Sequence, residues 1–147
     1  MKTFIYICLA AVCLGIFASC KSQKTVAATF SDLNGEWNVV ELDGKKVNPE
    51  ETRQFLTLDM DRRSLSGNAG CNRMMGKIEY SESQRNIIKF PNIATTRMAC
   101  PDMSGEQALL KALGKVVRFQ AIGNTKPVST VGLYGTDDAL LMVIQKR

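Results

Sequence analysis

Between Gly35 and Gln145 the sequence is cut into short runs of alternating apolar and polar residues closed by turn formers. That period of two restricts the chain to folds built from short strands. GEWNVVEL, Gly35 to Leu42, reads as a strand with Trp37, Val39 and Glu41 on one face and Val40 and Leu42 on the other. Asp43-Gly44 follows; a two-residue hairpin loop needs positive φ at both positions, which this pair accepts. QFLTLDM, Gln54 to Met60, sets Phe55 and Thr57 against Leu56 and Leu58, and DRRS then turns the chain into SLSGNAG. Gly67, Gly70 and Gly76 mark bulges or close backbone approach. KIEY and NIIKF form a second hairpin through SESQR, ended by Pro91, which restricts Phe90. KVVRFQAI, VSTVGLYG and ALLMVIQ supply the last three strands.

One segment keeps a different period. In SGEQALLKALG, Ser104 to Gly114, the residues Leu109, Leu110 and Leu113, with Ala108 and Ala112, make an apolar stripe at helical spacing. Ser104 is placed to cap the helix, Gln107 stands at the capping-box position, and Gly114 sits where a left-handed C-terminal residue belongs. The residues therefore predict a mainly β, α+β domain: about eight short antiparallel strands in a sandwich or barrel-like meander, with one packed helix.

The first residues do not fit that pattern. Lys2 precedes a 14-residue apolar run, Phe4 to Phe17, and Ala18-Ser19 then leads to Cys20. Charge, apolar core and small residues in this order make a secretory signal. At 1.5 Å per residue the run reaches only about 21–24 Å, short of a roughly 30 Å hydrocarbon core. FASC resembles the bacterial lipobox, in which the cysteine is acylated and becomes the new N-terminus. Phe17 stands where leucine is commoner, and simple cleavage is the alternative. The expected organisation is a signal peptide over 1–19, a lipidated tether over 20–30 and a domain over 31–147. The segment Lys21 to Thr29 spans at most about 30 Å, which keeps the domain near its membrane. Lysines rather than acidic residues follow Cys20, so the expected location is the cell envelope, lipid-anchored, at the outer membrane and facing the periplasm.

Of the five cysteines, Cys8 and Cys13 leave with the signal and Cys20 carries lipid. Cys71 and Cys100 remain, in an oxidising compartment where one disulfide is the default. A free reactive thiol is the alternative, but the chain contains no histidine to activate it. The same absence removes Ser-His and Cys-His pairs and imidazole zinc ligands. No catalytic residue, metal site or cofactor is assigned. Lys and Arg number 19 against 14 Asp and Glu, a net charge of +5, with both signs scattered and no basic stripe interleaved with aromatics. No nucleic-acid partner is expected. Glu50-Glu51, Asp59/Asp61 and Asp137-Asp138 all read as solvated turn residues, without an EF-hand, Walker or dinucleotide pattern.

LNGEWNVVELDGK, LSGNAGCNRMMGKIEY and IATTRMACP, then a glutamate leading into ALLKAL, together resemble the META domain, the HslJ-like family of heat-inducible lipoproteins. The resemblance runs from Leu33 to about Ile144. It implies a cracked, mostly antiparallel β-barrel with a helix, in envelope or secreted proteins associated with heat or antibiotic stress. It implies no established molecular activity.

A Cys71–Cys100 bond gathers Asn72, Arg73, Thr95, Thr96 and Arg97 into a candidate binding cluster. Two arginines, an amide and two hydroxyls suit a carboxylate or phosphate; the competing reading has the amide and hydroxyls serving the backbone and the arginines in solvent. Met74, Met75 and Met98 flank the cluster and suit either core packing or an apolar pocket. The expected function is a non-enzymatic envelope lipoprotein that binds a protein or a small apolar ligand in stress or antibiotic tolerance. A hydrolase using lysine or carboxylates, or a purely structural envelope component, is the alternative.

Overall fold

The computed structural model describes residues 26–147. The signal segment and Cys20 lie outside the described residues. The alternating runs form β1 (Gly35–Leu42), β2 (Lys45–Lys46), β3 (Phe55–Asp59), β4 (Ser64–Asn68), β5 (Arg73–Lys77), β6 (Glu79–Tyr80), β7 (Ile88–Lys89), β8 (Ala94–Thr95), β9 (Arg118–Ala121), β10 (Thr130–Tyr134) and β11 (Leu140–Lys146). A short helix, α1 (Pro49–Thr52), follows β2, and α2 (Ser104–Leu113) is the main helix. Nine strands make one antiparallel sheet ordered β8-β5-β4-β3-β1-β11-β10-β9, with β2 added on β1. The sheet is open: the mainly β, barrel-like meander expected from the sequence is present, and it does not close.

The hairpin β6-β7 is a separate sheet that lies between β9 and the turn joining β3 to β4. On one side Ile88 N–H donates to Val117 O at 3.1 Å and Phe119 N–H to Asn86 O at 3.0 Å. On the other, Ile78 N–H donates to Arg63 O at 2.8 Å, and the Tyr80 hydroxyl donates to Met60 O at 3.0 Å. The exceptions to the expected eight strands are mostly two-residue pieces. Cys71 and Asn72 form a bend that leads into β5, whose Met74 pairs with Thr95 of the edge strand β8.

Two local devices set the faces. The register of β1 against β11 shifts between Val39 and Glu41, so Val40 is the extra residue of a bulge. Leu42 thereby joins Trp37 and Val39 in the core, where strict alternation had put it on the opposite face. Gly67 has φ +156, and a Cβ there collides with the Phe55 carbonyl oxygen of the paired strand. That close approach is what the glycine permits.

The core joins Trp37, Leu56, Leu58, Leu65, Phe119, Leu133 and Ile144 from the sheet with Leu109 and Leu113 from α2, which packs on β1 and β11. Each such side chain contributes about 1.5–3 kcal/mol by leaving water. The indole N–H of Trp37 is satisfied by Leu33 O at 2.7 Å. The ends of α2 differ from expectation. Ser104 is the first helical residue rather than the cap, Met103 occupies the cap without a side-chain bond, and Asp102 Oδ1 accepts from Ser104 N–H at 2.9 Å. Gly114 is right-handed, φ −65, because the chain continues into a tight turn, Lys115 N–H to Ala112 O and Val116 N–H to Leu113 O, and needs no reversal.

The tether ends earlier than read. Val26, Ala28 and Phe30, all before residue 31, pack against the core, while Ala27 and Thr29 face out. Phe30 packs between Tyr80 of β6 and Phe119 of β9 with tilted rings, the centroids 4.3 Å and 5.3 Å away. This strap is clamped by Asp32, whose Oδ2 accepts from Thr29 N–H, Thr29 Oγ1 and Lys126 Nζ, each at 2.8 Å. The hydrogen bond from Lys126 does most to hold the Asp32 carboxyl down at about 2. No helix among the described residues is long and apolar enough to cross a membrane.

Candidate functional site

Cys71 and Cys100 form a disulfide with Cα atoms 6.5 Å apart. It ties the turn before β5 to the loop before α2. The buried Asn72, 1% exposed, makes the same connection by hydrogen bonds. Its backbone N–H and side-chain Nδ2 donate to the two carboxylate oxygens of Glu106 at 2.8 and 2.9 Å. Its Oδ1 accepts from Thr96 Oγ1 at 2.9 Å and from Met98 N–H at 2.8 Å. Glu106, 4% exposed, lies in the first turn of α2, where the helix dipole favours a carboxylate. Gln54, 2% exposed, adds a parallel tie: its Nε2 donates to Ala69 O at 3.0 Å and Gly105 O at 2.8 Å.

Of the expected cluster, the structure joins Asn72, Thr96 and the Arg73 backbone, since Arg73 N–H donates to Thr96 Oγ1 at 3.2 Å and Thr96 N–H to Arg73 O at 3.0 Å. The Asn72 amide and the Thr96 hydroxyl are both consumed in these internal bonds. Thr95 is half-buried on β8. The side chains of Arg73 and Arg97 are exposed, and neither joins an ion pair among the described residues. Beside them Met75 and Met98 are 63% and 60% exposed, whereas Met74 is buried in the core. Behind the disulfide lies a polar cavity of about 360 Å³ lined in part by Arg53, Gln54, Cys71, Asp102 and Glu106.

The acidic pairs lie apart from it or at its margin. Glu50 and Glu51 begin α1, with Glu51 accepting from Asn48 Nδ2 at 2.9 Å. Asp59 accepts from Arg62 N–H at 2.8 Å, and Asp138 pairs with Arg118 at 2.7 Å. Lys146 extends over the Trp37 ring, 4.3 Å from its centroid, and bonds Asn34 O; burial there pushes its pKa down, partly offset by Asp32. No group of three metal-ligating side chains occurs among the described residues.

A second concavity among the described residues was not foreseen. A groove of about 580 Å³ runs between the strap and β9, with Val26, Ala28, Phe30 and Phe119 as its apolar lining and Glu82, Arg85, Asn86 and Gln120 among its polar residues. Its volume lies within the range of ligand pockets. The signal for it was present: Val26, Ala28 and Phe30 alternate with Ala27 and Thr29 as a half-buried extended segment does. Gln54 and Glu106 were equally missed as partners, because each looked like a surface residue at the end of an element.

A protein from Burkholderia xenovorans, solved by NMR, is 23% identical, with a TM-score of 0.57 over 86% of this chain and 96% of its own. A DUF4847 family protein from Bacteroides vulgatus ATCC 8482, solved by crystallography, is 13% identical, with a TM-score of 0.53 over 78% of this chain and 94% of its own. At these identities the likeness establishes the fold. No curated protein matches the chain. The META domain matches residues 29–145, a span that takes in the strand meander, the CNR and ATTRMACP motifs and the helix alike, and the chain belongs to the META domain family.

Proposed function

We propose that the protein is a non-enzymatic envelope lipoprotein, anchored through Cys20, whose META domain binds a small apolar ligand in stress or antibiotic tolerance. The observation that supports this reading is the groove of about 580 Å³ beside the strap, its floor formed by Phe30 and Phe119. An apolar trough with a polar rim is the ordinary shape of a small-molecule site. Ala27 lines the groove with its side chain exposed, so a bulky residue there fills the groove without disturbing the core. Wild type is expected to bind Nile red with a rise in fluorescence, and Ala27→Trp to lose that rise at an unchanged melting temperature. Equal dye binding by both proteins counts against the groove.

A protein partner is the second reading. It is favoured by the exposed Met75 and Met98 beside Arg73 and Arg97, since exposed apolar surface rimmed by charge marks contact sites. Its test is whether Arg73→Gln, Arg97→Gln lowers survival under heat or antibiotic at normal abundance.

A further inference from the structure

The groove carries two charges on the same loop. Glu82 and Arg85 lie between β6 and β7, both line the groove, and both are exposed. Neither joins an ion pair among the described residues. The apolar lining from Val26, Ala28, Phe30 and Phe119 shares the groove with this one cation and one carboxylate. A neutral apolar molecule leaves both charges unanswered. A fatty acid matches Arg85 and is repelled by Glu82; a cationic amphiphile does the reverse. A head group bearing both signs answers both.

We propose that the groove binds a single-chain zwitterionic amphiphile of the lysophosphatidylethanolamine type. Its phosphate meets Arg85, whose guanidinium suits a phosphate. Its primary ammonium meets Glu82, and its acyl chain lies along Phe30 and Phe119. This assignment rests on the apolar-ligand reading above and adds the head group to it.

The test uses the full chain carrying Cys20→Ala, which removes the protein's own lipid from the assay, loaded with Nile red. Palmitoyl lysophosphatidylethanolamine, palmitoyl lysophosphatidylglycerol and palmitate are added as competitors below their micelle-forming concentrations. The ethanolamine lipid is expected to displace the dye at about 2- to 5-fold lower concentration than the other two, as fits an exposed charge contact. Arg85→Gln should weaken both phospholipids. Glu82→Gln should weaken only the ethanolamine lipid and erase its advantage over the glycerol lipid. Equal displacement by all three, or variants that discriminate as wild type does, overturns the head-group assignment and leaves the apolar groove standing. A wild-type chain that takes up no dye overturns both.

Discussion

Asn72 holds three segments together: the start of β5, the loop before α2 and α2 itself. Replacing it with alanine leaves one buried Glu106 oxygen unpaired and removes the acceptor of the part-buried Met98 N–H and the Thr96 hydroxyl. At about 1–3 kcal/mol for each stranded group, Asn72→Ala should cost about 3 kcal/mol and lower the melting temperature by about 10 °C. The side chains of Arg73, next to it in sequence, and of Arg97, between Thr96 and Met98, are exposed and join no ion pair among the described residues. The double variant Arg73→Gln, Arg97→Gln should stay within about 0.5 kcal/mol of wild type by denaturant unfolding. Sequence reading placed all these residues near one another and could not rank them, because an amide that serves the backbone and one that serves a ligand look alike in one dimension. Asp32 gives a pH signature. Its carboxyl is lowered from 3.8 to about 2 by Lys126 and Thr29, so the stabilisation it lends the strap is complete above about pH 4 and is lost as pH falls towards 2. The protection of the Thr29 amide from hydrogen exchange, relative to an unfolded amide at the same pH, should fall across that window, and Asp32→Asn should remove the pH dependence of strap opening.

At the scale of elements, the long strands and the main helix were legible because each buries one face against the core and so keeps its period. β1 and α2 were read with bounds close to those observed, Gly35–Leu42 and Ser104–Leu113. What escaped were features set by partners. The bulge at Val40 arises from the pairing of β1 with β11, and the edge strand β8 exists only because β5 lies beside it. The cap of α2 is likewise settled by its surroundings, with Asp102 bonding the Ser104 amide. The disulfide and the Asn72 node brace the same two segments. Closing a loop with a sequence separation of 29 is worth about 3.6 kcal/mol on the chain-entropy account. The variant Cys71→Ala, Cys100→Ala should therefore unfold at lower denaturant yet keep native hydrogen exchange at the Asn72 and Met98 amides. Combined with Asn72→Ala, the losses should be non-additive, since both ties join the same segments.

At the scale of the whole molecule, the open sheet, the β6-β7 hairpin and the strap form one device. The sheet is open, Phe30 of the strap packs between the hairpin and β9, and the groove is lined by the strap, the β6-β7 loop and β9. The strap that lines the groove is also the first described segment after Cys20 in the sequence. Cys20→Ala should release the protein from the membrane fraction and abolish uptake of labelled fatty acid. The most direct test of the central claim, that this groove is the binding site, is backbone-amide NMR of the Cys20→Ala chain titrated with palmitoyl lysophosphatidylethanolamine below its micelle-forming concentration. The predicted result is saturable shifts confined to Val26–Phe30, Glu82–Asn86 and Phe119–Gln120. Shifts centred instead on Cys71 and Glu106 at the polar cavity, or none at saturating lipid, would contradict it.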